Sequence, residues 1–131
     1  MVARVLRTWP DPFLSTKSNK ITEFESSTRS LASDLVDTMK VNHGAGLAAT
    51  QIGDSRSACV IAQDYVPSLP VDPHLDEAVF LGNPEIKFLS SEFFSWNERC
   101  LSVKEISAKV KRCKKIQISY QNTQGVNVSI Q

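Results

Sequence analysis

Composition alone does little to narrow what this chain does. Cysteine is scarce: Cys59, Cys100 and Cys113 are three in 131 residues. An odd count without regular spacing builds no disulfide framework and suits a reducing compartment. A dominant charge is lacking too. Lys and Arg number 15 against 14 Asp and Glu, a formal net charge of +1, so no global field draws the chain to DNA or to an anionic membrane. No apolar run approaches membrane-spanning length. Residues 1–7 carry charges without a continuous apolar stretch, which argues against a secretory signal. The cytoplasm is the expected compartment. Histidine occurs twice, as His43 and His74, so any imidazole chemistry is confined to those positions. Internal repeats and low-complexity tracts are absent.

What is present suits one globular domain over residues 1–131. The hydrophobic fraction is 41% and the charged fraction 22%, and a chain of this length can bury a real core. Residues 22–40 predict a helix. Thr22 and Glu25 have capping-box spacing, and Phe24, Leu31, Leu35 and Met39, with Ala32 and Val36, form an apolar stripe near helical period. Asn42-His43-Gly44 ends it, where a residue with positive φ is expected. Residues 58–62 predict a buried strand that encloses Cys59. Residues 64–78, with Pro67, Pro70 and Pro73, read as a long surface loop that leaves His74 exposed. Asn83-Pro84 is a turn signal within a strand region. Residues 86–88, 92–96, 116–120 and 126–130 are further strand segments, the last two joined by a hairpin turn at 122–125. The predicted class is α+β, an N-terminal helix packed on short, mostly antiparallel strands. The basic stretch 109–115 reads first as a solvated strand face and second as a patch for an acidic partner such as the ribosome.

Two segments carry the chemical information. Gly44-Ala45-Gly46-Leu47-Ala48-Ala49-Thr50-Gln51 concentrates small residues that permit close backbone approach, and it ends in an amide that both donates and accepts. Glu98-Arg99-Cys100-Leu101-Ser102 contains the one cysteine set in a recognisable pattern. Cys100 reads as a metal ligand or as a nucleophile. His43 reads as a cation at a helix C-terminus, or as a base for Cys100.

Together the two segments resemble the motifs of peptide deformylases, and the likeness covers nearly the whole chain. The first matches closely, whereas the second has Arg99 where the family usually has glycine. The resemblance implies hydrolysis of the formyl group from N-formylmethionyl nascent peptides by a monomeric enzyme. It implies a divalent metal, Fe(II) by preference and Zn(II), Ni(II) or Co(II) as substitutes, with Cys100 as ligand. Gln51 and the backbone N–H of Leu101 would stabilise the oxyanion. Gly46 would bond the substrate backbone, and Ala45 and Arg99 would pair with the peptide as an added strand. Leu47 and Leu101 would line a methionine pocket, with Glu98 supporting the site. The family's third motif, His-Glu-x-x-His, is not in this sequence. A chain truncated before the metal-binding helix is the favoured expectation. A degenerate, non-catalytic module that binds formyl-Met or nascent N-termini is the alternative.

Overall fold

The computed structural model describes residues 3–130. The fold is α+β. One helix, α1 (Ser26–Val41), precedes seven strands: β1 (Gly46–Ala48), β2 (Ala58–Ala62), β3 (Ala78–Leu89), β4 (Phe93–Cys100), β5 (Val103–Cys113), β6 (Ile116–Gln121) and β7 (Asn127–Ile130). Five strands form an antiparallel sheet in the order β1-β2-β3-β6-β7, while β4 and β5 pair as a separate two-stranded sheet.

The apolar stripe of α1 does what its period predicts. Leu31, Leu35 and Met39 are buried against Leu47, Val60 and Phe80 of the sheet. Each such side chain contributes about 1.5–3 kcal/mol by leaving water. Two threonines share the buried face, and their hydroxyls are satisfied locally. Thr28 Oγ1 donates to the Glu23 carbonyl at 2.9 Å, and Thr38 Oγ1 to the Asp34 carbonyl at 2.7 Å.

The helix starts later than its capping-box spacing predicts. Glu25 is its N-cap and makes no side-chain cap bond. The cause lies in β3. The Asn83 side chain accepts from the Ile21 N–H at 2.7 Å and donates to the Ile21 carbonyl at 2.8 Å. That clasp holds the preceding segment against the sheet and keeps residues 22–24 out of the helix. Asn83 itself has φ 48° and lies inside β3, where the register with β6 shifts between Gly82 and Glu85. The Asn83-Pro84 turn signal is thus a bulge in a continuous strand.

The proline-rich loop is not wholly a surface feature. Leu69, Asp72 and Leu75 are buried. The Asp72 carboxylate accepts from the Thr123 N–H at 3.1 Å, from the Thr123 hydroxyl and from the His74 N–H at 3.0 Å. This ties the loop to the β6–β7 turn and leaves the His74 residue itself exposed.

The basic stretch largely finds partners on the β4–β5 hairpin. Arg112 bonds Glu98, Lys111 stands 4.4 Å over the Phe93 ring, and Lys114 lies 3.7 Å from Glu92.

Candidate active site

The end of α1 delivers the first motif. His43 adopts the left-handed conformation, φ 56°, that the sequence reading requires near this point. Its N–H donates to the Lys40 carbonyl at 3.1 Å, and the Gly44 N–H to the Met39 carbonyl at 2.9 Å. This pair of bonds is a Schellman closure, which satisfies the last helical carbonyls and turns the chain into β1.

β1 is an edge strand. The Ala62 N–H donates to the Ala45 carbonyl at 2.9 Å. Alternation along an antiparallel pair then turns the N–H and C=O of Gly46 away from β2, toward the open edge. Ala48 faces the same way, and its N–H donates to Gln51 Oε1 at 2.9 Å. Gly46 therefore carries the unpaired backbone groups, while the Ala45 carbonyl is committed to the sheet.

Gln51 sits on the short 3-10 turn Ala49–Ile52. With Oε1 held by Ala48, its Nε2 donates to Ser102 Oγ at 3.0 Å and faces Cys100 Sγ at 3.6 Å. The amide orientation is fixed at both ends. The two motifs are also clipped together from behind. The Arg7 N–H donates to the Gln51 carbonyl at 2.7 Å, and the Trp9 N–H to the Ser102 carbonyl at 2.8 Å. Ser102 is buried at 3% exposure. Its part in orienting Gln51 depends on a partner 51 residues away in sequence, so its local context carries no sign of it.

These segments enclose an open cleft of about 580 Å³, walled in part by Leu6, His43, Gly46, Gln51, Cys100 and Leu101. Ala45 and Arg99 also line it. Leu47 does not. It is buried at 3% exposure in the core beneath, because its side chain lies on the face of β1 that meets α1. Leu101 is half-buried against that same core and reaches the cleft. Glu98 is turned to Arg112, which grips its carboxylate at 2.9 and 2.8 Å. The Glu98 carboxylate in turn raises the Arg112 pKa, first through the side-chain hydrogen bond.

Matches to known proteins point to one family. The polypeptide deformylase family model matches residues 3–131. The chain belongs to the polypeptide deformylase family. The peptide deformylase of Dictyoglomus thermophilum is 36% identical over 122 residues, covering 93% of this chain and 72% of that protein. Among solved structures, peptide deformylase from Thermotoga maritima superposes with a TM-score of 0.87 at 29% identity, covering 98% of this chain and 80% of the other. Class I type b peptide deformylase from Acinetobacter baumannii, solved with Met-Ala-Ser bound, matches with a TM-score of 0.84 at 26% identity, covering 98% and 82%.

A deformylase-type metal can be tested against the side chains present. Cys100 is exposed in the cleft, and His43 lines the same cleft. No three His, Cys, Asp or Glu side chains come together to hold an ion among the described residues. Three protein ligands are the norm for a catalytic divalent site. The described residues therefore do not fit a metal by themselves: Cys100 offers one donor and the set is incomplete.

Proposed function

We propose that this chain, joined to a segment that completes its metal site, acts as a peptide deformylase on N-formylmethionyl peptides, releasing formate and a free methionine amino terminus. The observation that carries the reading is the Gln51 amide. It is locked by Ala48 and Ser102 beside Cys100, next to the open backbone edge of Gly46.

An extended peptide pairs with that edge as an added strand, so backbone bonds supply affinity without fixing side-chain identity. The methionine side chain packs against Leu101, with the core residue Leu47 supporting the strand below. The formyl oxygen then lies at Gln51 Nε2, with the Leu101 N–H as second donor. One Nε2 hydrogen is engaged by Ser102, and the other points to Cys100 Sγ at 3.6 Å, on the cleft wall, from which the formyl oxygen would draw it. Donors held in place before charge develops cost no reorganisation during reaction, and each is worth about 10²–10³ in rate. Cys100 is a single donor to a divalent ion, Fe(II) or else Zn(II), Ni(II) or Co(II), and the other donors do not come from the described residues. Glu98 with Arg112 steadies the strand that presents Cys100. The same reading makes the protein a monomer that meets nascent chains in the cytoplasm, with the 109–115 face toward the ribosome.

The test is formate release from formyl-Met-Ala-Ser with Fe(II) or Ni(II) supplied and a His-Glu-x-x-His segment provided. The reading expects formate and Met-Ala-Ser in equal amounts. Formate release that is unaffected by Gln51→Ala would contradict the assigned role of the amide, and no release at all would contradict the activity.

A further inference from the structure

The cleft wall carries an exposed cation, Arg99, that no described side chain offsets. Arg99 is exposed, lines the cleft, and has no ion-pair partner among the described residues. No acidic side chain is among the described residues of the cleft wall.

The register of β4 explains both facts. Glu98 and Arg99 are consecutive strand residues, so they point to opposite faces. Glu98 is directed to Arg112 on its own face and is gripped there. It is not available to neutralise Arg99. Cys100 should by the same alternation turn away from Arg99, yet both line the cleft. The pairing with β5 breaks at this point: Arg99 lies opposite Ser107, and Cys100 opposite Val103. A register break of this kind re-aims a side chain, and here it puts a guanidinium and a thiol on one wall.

Three other arginines are arranged differently. Arg4, Arg7 and Arg56 are each paired with an aspartate, Asp34, Asp11 and Asp54 respectively. Arg99 lines an open cleft beside the backbone edge where the peptide is placed. A guanidinium is always charged and matches a carboxylate with two parallel donors.

We infer that Arg99 makes the cleft selective for peptides with a carboxylate side chain within two residues of the methionine. This rests on the deformylase reading and adds a substrate class to it. Side chains along an extended strand alternate in direction, so one of the two positions after methionine faces the β4 wall and the other does not.

Direct binding tests this without turnover. Fluorescence anisotropy would be measured on the 131-residue protein with labelled formyl-Met-Glu-Ala-Ala and formyl-Met-Ala-Glu-Ala, both C-terminally amidated, and with their Gln and Lys counterparts. The expected result is that one Glu peptide binds about threefold to fivefold tighter than its Gln counterpart at low salt, the size of an exposed ion pair. Lys at that position should bind more weakly than Gln. The preference should vanish in 1 M salt, where screening acts over about 3 Å. It should also vanish in Arg99→Gln, survive in Arg99→Lys, and persist in Arg29→Gln on α1. Equal affinities for the Glu and Gln peptides, or a preference that survives Arg99→Gln, would overturn the inference while leaving the deformylase reading in place. Failure to bind any peptide of the set would also overturn the inference, while formate release by the completed site tests the deformylase reading separately.

Discussion

A Cβ placed on Gly44 would stand 2.5 Å from Cδ1 of Leu101. The two sequence motifs meet at this contact, the end of the helix turn pressing on the turn that follows the cysteine. The obstructing atom is a side-chain tip, which can rotate away. The cost of Gly44→Ala should therefore fall on the cleft wall rather than on the fold. A displaced rotamer costs about 0.5–1.5 kcal/mol, so affinity for a Met-Ala-Ser peptide should drop roughly twofold to tenfold while Tm changes little. Calorimetric titration and thermal melts of the same samples check both. A large fall in Tm with unchanged affinity would show that Gly44 serves the backbone turn instead.

Gln51→Ala should lower kcat by about 10²–10³ with a smaller change in KM, because the amide is assigned to charge that develops after binding. Ser102→Ala should mimic part of this loss. It frees Nε2 to turn, yet leaves Oε1 anchored on the Ala48 N–H. Steady-state kinetics on the two variants separate a donor from an orienting residue. Equal kcat in wild type and Gln51→Ala would reduce Gln51 to a turn residue.

The motifs and the helix stripe were legible in the sequence because each is a local pattern. Leu31, Leu35 and Met39 repeat at helical spacing, and burial follows from period alone. The helix start was misread because Thr22 and Glu25 have capping-box spacing, whereas the Asn83 side chain, 62 residues from Ile21, holds that stretch against the sheet. Asn83-Pro84 was read as a turn for the same reason: only the register with β6 shows a bulge. Leu47 carries the wrong expectation because alternation assigns its face, and the face is fixed by α1. Leu6 gave no signal, since its place depends on where the N-terminal arm lies, and Ser102, although part of the second motif, gave no sign of its bond to Gln51, 51 residues away. Most of β5 was not anticipated beyond its basic end, because a charged hairpin strand lacks the apolar alternation that marks a strand facing a core.

The cysteines should separate by chemistry. Burial pushes the Cys59 thiol up to about 11, whereas Cys100 is exposed in the cleft. Iodoacetamide at pH 8 should label Cys100 well before Cys59, as peptide mapping by mass spectrometry would show. The same shift has a stability consequence. The folded value lies above the ordinary thiol value of 9.0, so the native state holds this proton more tightly than the unfolded chain. The associated stability is complete below about pH 9 and is lost as pH rises through 11. Cys59→Ala should flatten that part of the Tm-against-pH curve. An unchanged slope would contradict the burial of Cys59 as its cause.

The most direct measurement is formate release from formyl-Met-Ala-Ser with Fe(II) or Ni(II) supplied. It would be run on the 131-residue chain and on the same chain joined to a segment bearing His-Glu-x-x-His, with bound metal quantified in each. Cys100 alone cannot fix a divalent ion, because three ligands are the norm. The 131-residue chain should bind metal weakly and release little formate. The joined chain should gain both properties, and lose both in Cys100→Ala but not in Cys59→Ala. Full metal binding and rapid formate release by the 131-residue chain, or activity that survives Cys100→Ala, would contradict the assignment.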